Sequence, residues 1–244
     1  MPSRWRRVVS STLAGFLAGA VVGVTGRTVF GNMGSSEQEQ GAAATQATAD
    51  AVLETIRQRR TVRRYQATPV PPEDVMKILE AAHYAPTAGN QQPWRFLVIR
   101  DRAKLDALKA NALQWHMDRV AKLPEVSGHD LDSLRAGVTP MIDNALSAPV
   151  YVAVLVDNEA RYPDYVTYDG TLAAGNLMIA ARAMGYGTGF FTTFFPEEQM
   201  KRFFGIPEQY SLICFTPIGV PHEWPQMPSK KTVDEVVVFE AFQR

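Results

Sequence analysis

Four guanidinium groups crowd into one short run of this sequence: Arg59, Arg60, Arg63 and Arg64, with Thr61 among them and Tyr65 closing the run. Guanidinium forks grip phosphate or carboxylate bidentately, and a threonine hydroxyl adds one donor, so the segment suits an anionic ligand. Its commoner use is a solvated basic turn after a helix. A second stretch, Ala85-Pro86-Thr87-Ala88-Gly89-Asn90-Gln91-Gln92-Pro93-Trp94, carries amides with both donors and acceptors, which suits reading a heterocycle or a polyol chain. An ordinary Pro- and Gly-built connection stays open there. In the third, Gly185-Tyr186-Gly187-Thr188-Gly189-Phe190-Phe191-Thr192-Thr193, Gly187 and Gly189 let a flat ring approach the backbone. A helix precedes this GxGxG and a strand follows, the reverse of the order that a dinucleotide fingerprint requires, so that reading is rejected. The fourth, Pro228-Ser229-Lys230-Lys231-Thr232, brings two lysines that either close on the same anion or form a basic surface loop.

The elements that must position these groups are legible in the spacing. Asp50 precedes a short helix with Val52, Leu53 and Ile56 at helical spacing, and Pro72 opens another with Val75, Ile78, Leu79 and Ala82 on one face. Residues 94–100 read as a strand, and Asp101 caps a helix running from Lys104 to about Lys122. Leu123–Gly137 reads as a loop or lid. YVAVLVD (151–157) is a continuous apolar run typical of a buried strand, and Tyr168–Met184 a nearly all-apolar helix closed by Gly185. Such a helix belongs in a core or a subunit interface. Residues 186–194 and 211–221 read as strands, with a short helix between Pro196 and Gly205, and EVVVFE (235–240) as a last strand. Helices and strands mix without strict alternation, which makes the fold class α+β.

The 244 residues carry zero net charge, unevenly placed: Arg4, Arg6, Arg7 and Arg27 occupy the first thirty residues without an acid, leaving the remainder mildly acidic. That gives no electrostatic case for nucleic acid. With one cysteine, Cys214, neither an intrachain disulfide nor a Cys-rich metal site can form, and His83, His116, His129 and His222 are too scattered to suggest a metal cluster. His116, near the expected lid, is a candidate for touching substrate.

From Val8 to Gly26 the chain runs nineteen residues without a charge, close to the roughly 20 needed to cross a bilayer. With arginines before it, residues 1–30 read as a signal peptide or membrane anchor with the N-terminus inside. Arg6-Arg7 loosely match a twin-arginine signal. Gly15, Gly19 and Gly23 reflect the Gly-rich composition of such segments more simply than a helix-packing face. Gly31–Ala49, small and polar, reads as a flexible linker, and a folded domain occupies 50–244. The expected location is the cell envelope, membrane-anchored or exported with the domain outside; the alternative is the cytoplasmic face of the membrane.

RRTVRRY, APTAGNQQPWRF, GYGTGFF, GIPEQYSLICFTPIGVP and PSKKTVDEVV come in the order seen in the FMN-dependent nitroreductase family, over roughly Ala51 to Phe239. The chain resembles that superfamily, which includes iodotyrosine deiodinase and the flavin-destroying enzyme of vitamin B12 lower-ligand synthesis. The resemblance implies a central mixed sheet flanked by helices, and a homodimer with FMN at its interface. It assigns Arg59 and Thr61 to the FMN phosphate and Arg63 to the pyrimidine edge, where a cation stabilises charge on the reduced ring. Arg60 and Pro86 join the cofactor-binding set from the same segments. Thr87, Asn90 and Gln92 match positions around the ribityl chain and ring, and Thr192 the flavin N5/O4 side. Lys230 stands where the family usually has an arginine on the phosphate.

The implied activity is ping-pong hydride transfer through flavin N5 to a nitroaromatic, quinone or similar acceptor. NAD(P)H is the possible donor, and no catalytic side chain is named. The alternative is an FMN-binding electron-transfer or sensing module. The deiodinase-type lid, with Glu, Tyr and Lys gripping an amino acid, is not evident in Asn111–Asp143, so deiodination is not carried over.

Overall fold

The computed structural model describes residues 33–122, 131–192 and 195–242. In chain order these residues form α1 (Met33–Gln58), α2 (Pro72–His83), β1 (Trp94–Ile99), α3 (Arg102–Val120), α4 (Leu131–Ala145), β2 (Val150–Asp157), α5 (Val166–Ala183), α6 (Glu197–Phe204) and β3 (Tyr210–Ile218). The chain divides into two compact units, Met1–Gln46 and Ala47–Arg244, and the sheet belongs to the second. β1, β2 and β3 make one antiparallel sheet in that order, with a bulge in the β2–β3 ladder at Val154/Leu155. Among the described residues, the expected mixed character comes from one parallel bridge, Thr61 to Thr188.

The apolar run of β2 resolves into two alternating sets, because successive side chains of a strand point to opposite faces. Tyr151, Ala153 and Leu155 join Leu105, Leu108 and Ala112 of α3, Ile142 of α4 and Met200 of α6. Val150, Val152 and Val154 join Val75, Ile78, Leu79 and Ala82 of α2 and Ala174, Leu177 and Ala181 of α5. Both faces of β2 are therefore covered by helices, and each buried aliphatic side chain contributes about 1.5–3 kcal/mol. Tyr151 brings a hydroxyl into this core, but it donates to Ala145 O at 2.8 Å and accepts from Ala148 N at 2.9 Å, so that hydroxyl is fully satisfied.

Local signals set most boundaries. Asp101 accepts from Ala103 N and Lys104 N at the start of α3. Gly185 (φ 83°) and Gly205 (φ 66°) take the left-handed conformation after α5 and α6, as C-terminal caps require.

Four expectations are corrected. Asp50 does not cap a short helix: it lies inside α1, which already runs from Met33. Ala, Gln and Glu are strong helix formers and need no apolar face to adopt the conformation. Residues 131–137 belong to α4, leaving only 123–130 of the expected lid, which lie outside the described residues. Residues 186–192 contribute isolated bridges, Gly187 to Gly219 and Phe191 to Phe215, in place of a continuous strand. Residues 235–240 form turns and coil, and Phe239 and Phe242 are 84% and 85% exposed. A strand needs a neighbour, and among the described residues this segment pairs with none. The uncharged stretch Val8–Gly26 lies outside the described residues; among those described, no helix is long and apolar enough to cross a membrane.

Candidate cofactor and substrate site

The arginine-rich segment is not a free turn. Val62 N donates to Thr188 O at 2.8 Å, Gln66 N to Val220 O at 2.9 Å, and His222 N to Arg64 O at 3.0 Å. The segment thus runs extended between residues 187–188 and 219–222. Buried Val62 and Tyr65 pin it, and the Tyr65 hydroxyl donates to Val62 O at 2.8 Å. Burial holds that hydroxyl's pKa well above the tyrosine value. Gly187 explains the close approach: a Cβ there would lie 2.7 Å from Val62 Cγ2 and 2.9 Å from Pro221 Cγ. The glycine makes room for the arginine segment, and the space beside Gly189 is taken by the Phe191 ring, 2.5 Å from an added Cβ. Neither glycine faces an open ring site, a correction to the expectation from sequence.

With Val62 and Tyr65 inward, the cations are left for a cavity. Arg59, Arg60, Thr61 and Arg63 line a space of about 390 Å³ whose other wall is Pro225, Gln226, Met227, Pro228 and Lys230. Lys230 and the arginine segment, distant in sequence, thus come together, and no carboxylate lines the cavity. Arg60 spends Nη1 on the carbonyls of Arg57 and Arg59, while its buried Nε has no hydrogen-bond partner. Three arginines and a lysine around one cavity fit an anionic ligand.

A second cavity of about 430 Å³ is lined by Arg63, Arg64, Met141, Asn144, Ala145, Phe190, Phe191 and Thr192. It is more apolar, and it shares Arg63 with the first. Sequence reasoning missed Met141 and Asn144, which α4 supplies, and Gln226 and Met227, which no local motif marks.

Pro86, Thr87 and Asn90 line neither cavity, and Gln92 lines a separate groove with His83, Trp94 and Phe96. Their loop is nevertheless built with care. Gly89, Asn90 and Gln92 all have positive φ (54°, 55° and 48°); for the two non-glycine residues this is a strained conformation that surrounding structure must hold. The holder is Asp169 of α5, which is 3% exposed and accepts from Ala88 N at 3.0 Å and Gln91 Nε2 at 2.7 Å. Gln91 in turn accepts from Tyr162 N at 2.8 Å and donates to Tyr162 O at 3.2 Å. His116 lies on α3 beside Arg119 and lines neither cavity; burial, and then Arg119, lower its pKa. Among the described residues no cluster of His, Cys, Asp and Glu could hold a metal.

Comparison with known proteins identifies the family. An inferred NADH dehydrogenase/NAD(P)H nitroreductase of Methanothermobacter thermautotrophicus is 32% identical over 71% of this chain and 79% of its own. The 5,6-dimethylbenzimidazole synthase of Rhodospirillum rubrum is 27% identical over 70% of this chain and 82% of its own. The crystal structure of an inferred nitroreductase in complex with FMN from Desulfovibrio desulfuricans superimposes with a TM-score of 0.59 at 28% identity, covering 79% of this chain and 98% of that one. The nitroreductase family model matches residues 56–220, a span holding the arginine segment, the strained loop and all three strands, and the chain belongs to that family.

Proposed function

We propose that the protein is an FMN-dependent oxidoreductase whose first cavity takes the flavin phosphate and whose second takes the ring and the acceptor. The observation that carries this reading is the pair of cavities joined at Arg63, one cationic and one largely apolar. An amphiphilic ligand with a phosphate at one end and a flat ring at the other fits that pairing. The FMN-bound relative supports it. Arg59, Arg60, Thr61 and Lys230 would hold the phosphate; Lys230 does so as a point charge without the fork of an arginine. Arg63 would stand where negative charge develops on reduction, and Phe190, Phe191 and Met141 would exclude water from the acceptor. When bound, the flavin supplies two-electron transfer through N5, from a reduced nicotinamide to a quinone, nitroaromatic or similar acceptor in separate half-reactions.

The protein is proposed to act as a homodimer. The Pro86–Gln92 loop is rigidly held yet lines neither cavity, which favours its service to the site of a second copy. Exposed apolar side chains on α5, Tyr168 and Leu172, and at Val236–Phe239 favour the same arrangement. The N-terminal stretch Val8–Gly26 and its arginines lead us to propose a location at the cell envelope with the flavin domain outside. Reduced nicotinamides are not expected there, so that location would call for another donor. Protease added to spheroplasts would leave the domain intact until lysis if the location is wrong.

Anaerobic mixing of the purified protein with NADH, NADPH and dithionite, followed by flavin absorbance and then by addition of a quinone, tests the enzymatic reading. Bleaching by a nicotinamide and rapid reoxidation by the quinone are expected. Reduction by dithionite alone, with no reoxidation by small acceptors, would favour an electron-transfer or sensing module.

A further inference from the structure

The two walls of the cationic cavity are held very differently. Arg59–Arg63 are tied down through Val62 and Tyr65, as described above. The opposite wall has few ties. His222 N reaches Arg64 O and Gln66 Nε2 reaches Pro221 O. Among the described residues, none of residues 223–231 then makes a hydrogen bond until Thr232 turns onto Glu235. Yet this stretch must bring Gln226 and Lys230 to the ligand.

One contact fixes its beginning. The guanidinium carbon of Arg182 lies 3.8 Å from the ring centroid of Trp224. Arg182 is half-buried in the last turn of α5, and its Nη2 donates to Gln58 Oε1 at the end of α1. Gln58 immediately precedes Arg59, and Trp224 immediately precedes Pro225. A single side chain therefore touches both walls one residue before each begins. Arginine suits the task because its planar group offers a face for stacking and edge N–H groups for hydrogen bonding at once; an ammonium offers no such plane.

We propose that Arg182 is a positioning residue for the phosphate end of the site: through Trp224 and Gln58 it sets the spacing between the Arg59–Arg63 wall and the Gln226–Lys230 wall. It touches no ligand in this role. The inference rests on the reading of the cavity as the FMN phosphate site. A contact that served only global stability would weaken every flavin alike. A contact that sets the cavity's width weakens FMN and leaves riboflavin, which lacks the phosphate, untouched.

The test uses the full chain and its Arg182→Met, Arg182→Lys, Trp224→Leu and Trp224→Phe variants, titrated with FMN and with riboflavin by flavin fluorescence. Arg182→Met and Trp224→Leu should each weaken FMN about three- to thirtyfold with riboflavin affinity unchanged. The double variant should be no worse than the poorer single one, because both remove the same contact. Trp224→Phe, which keeps an aromatic face, should recover most of the loss, and Arg182→Lys less of it. Equal losses for the two flavins, or FMN affinity unchanged in every variant, overturn the proposal. Tryptic cleavage of flavin-free protein gives an independent readout: the bonds after Lys230 and Lys231 should be cut faster in Arg182→Met, while thermal denaturation stays close to wild type. If the wild type takes up no FMN, the functional reading fails, and an unchanged cleavage rate at Lys230 and Lys231 then overturns the positioning role separately.

Discussion

Replacing Asp169 by Asn should be far from conservative. The carboxylate, 3% exposed, accepts from Ala88 N on Oδ1 and from Gln91 Nε2 on Oδ2. An Asn side chain offers one acceptor and one donor, so a donor must face a donor at one of the two contacts. Flipping the Gln91 amide does not help, because its Oε1 already accepts from Tyr162 N and its Nε2 already donates to Tyr162 O. The polarity of the whole chain of bonds is fixed by a double acceptor at position 169. One hydrogen bond to a charged group is worth about 1.5–3 kcal/mol, and an unmade buried one costs its full desolvation. Asp169→Asn should therefore destabilise by about 2–3 kcal/mol and Asp169→Ala by about 3–4 kcal/mol. For a domain of this size that is roughly 4–12 °C in melting temperature for the Asn variant and roughly 6–16 °C for the Ala variant. The strain at Asn90 and Gln92 is what the lost bonds were holding, so the loop should also relax, with its amides exchanging faster than those of β2. Thermal denaturation with hydrogen exchange checks this. An Asn variant melting within a degree of wild type, with an unchanged loop, would refute the argument that the acceptor pattern is fixed.

Three further outcomes follow from the same geometry. Gly187→Ala would drive a methyl against Val62 and Pro221, costing about 1–3 kcal/mol by overpacking and loosening the arginine segment; denaturant titration and flavin affinity should fall together. The hydrogen bond from the Tyr186 hydroxyl, and after it Lys77, holds the Asp74 carboxyl below its ordinary range. That stabilisation is present above the unfolded carboxylate value and is lost as pH falls through the depressed folded one. Tyr186→Phe should therefore be less stable than wild type near neutrality, and the two should converge as pH falls through the depressed folded value in a urea series across pH. The purified protein should be dimeric by light scattering, including a form lacking residues 1–49; a stable, monodisperse holo-monomer contradicts the proposed arrangement.

What the sequence could reveal was set by how local the physics is. The continuous apolar run of residues 151–157, the cap at Asp101 and the helix stops at Gly185 and Gly205 are decided by near neighbours, and they fold as they read. The helix at 33–49 was hidden because low hydrophobicity masked good intrinsic propensity. EVVVFE has strand composition, but strand formation depends on an edge to pair with, which no composition reveals. Arg59 and Lys230 were recognisable by their motifs, while their meeting in one cavity depends on the chain path through residues 219–222. Asp169 gave no signal: it is a lone acid in an apolar helix, 81 residues from the loop whose amide it holds. Gln226, Met227 and Asn144 likewise acquire a role only through position.

The most direct test of the central claim is flavin binding by the purified chain and by Arg59→Ala and Lys230→Ala. The account predicts a yellow protein releasing FMN, with each variant weakened about ten- to a hundredfold through loss of one charge-assisted phosphate contact. Riboflavin should bind all three forms equally. Released FAD, no flavin after reconstitution, or variants that bind FMN as tightly as wild type would contradict it.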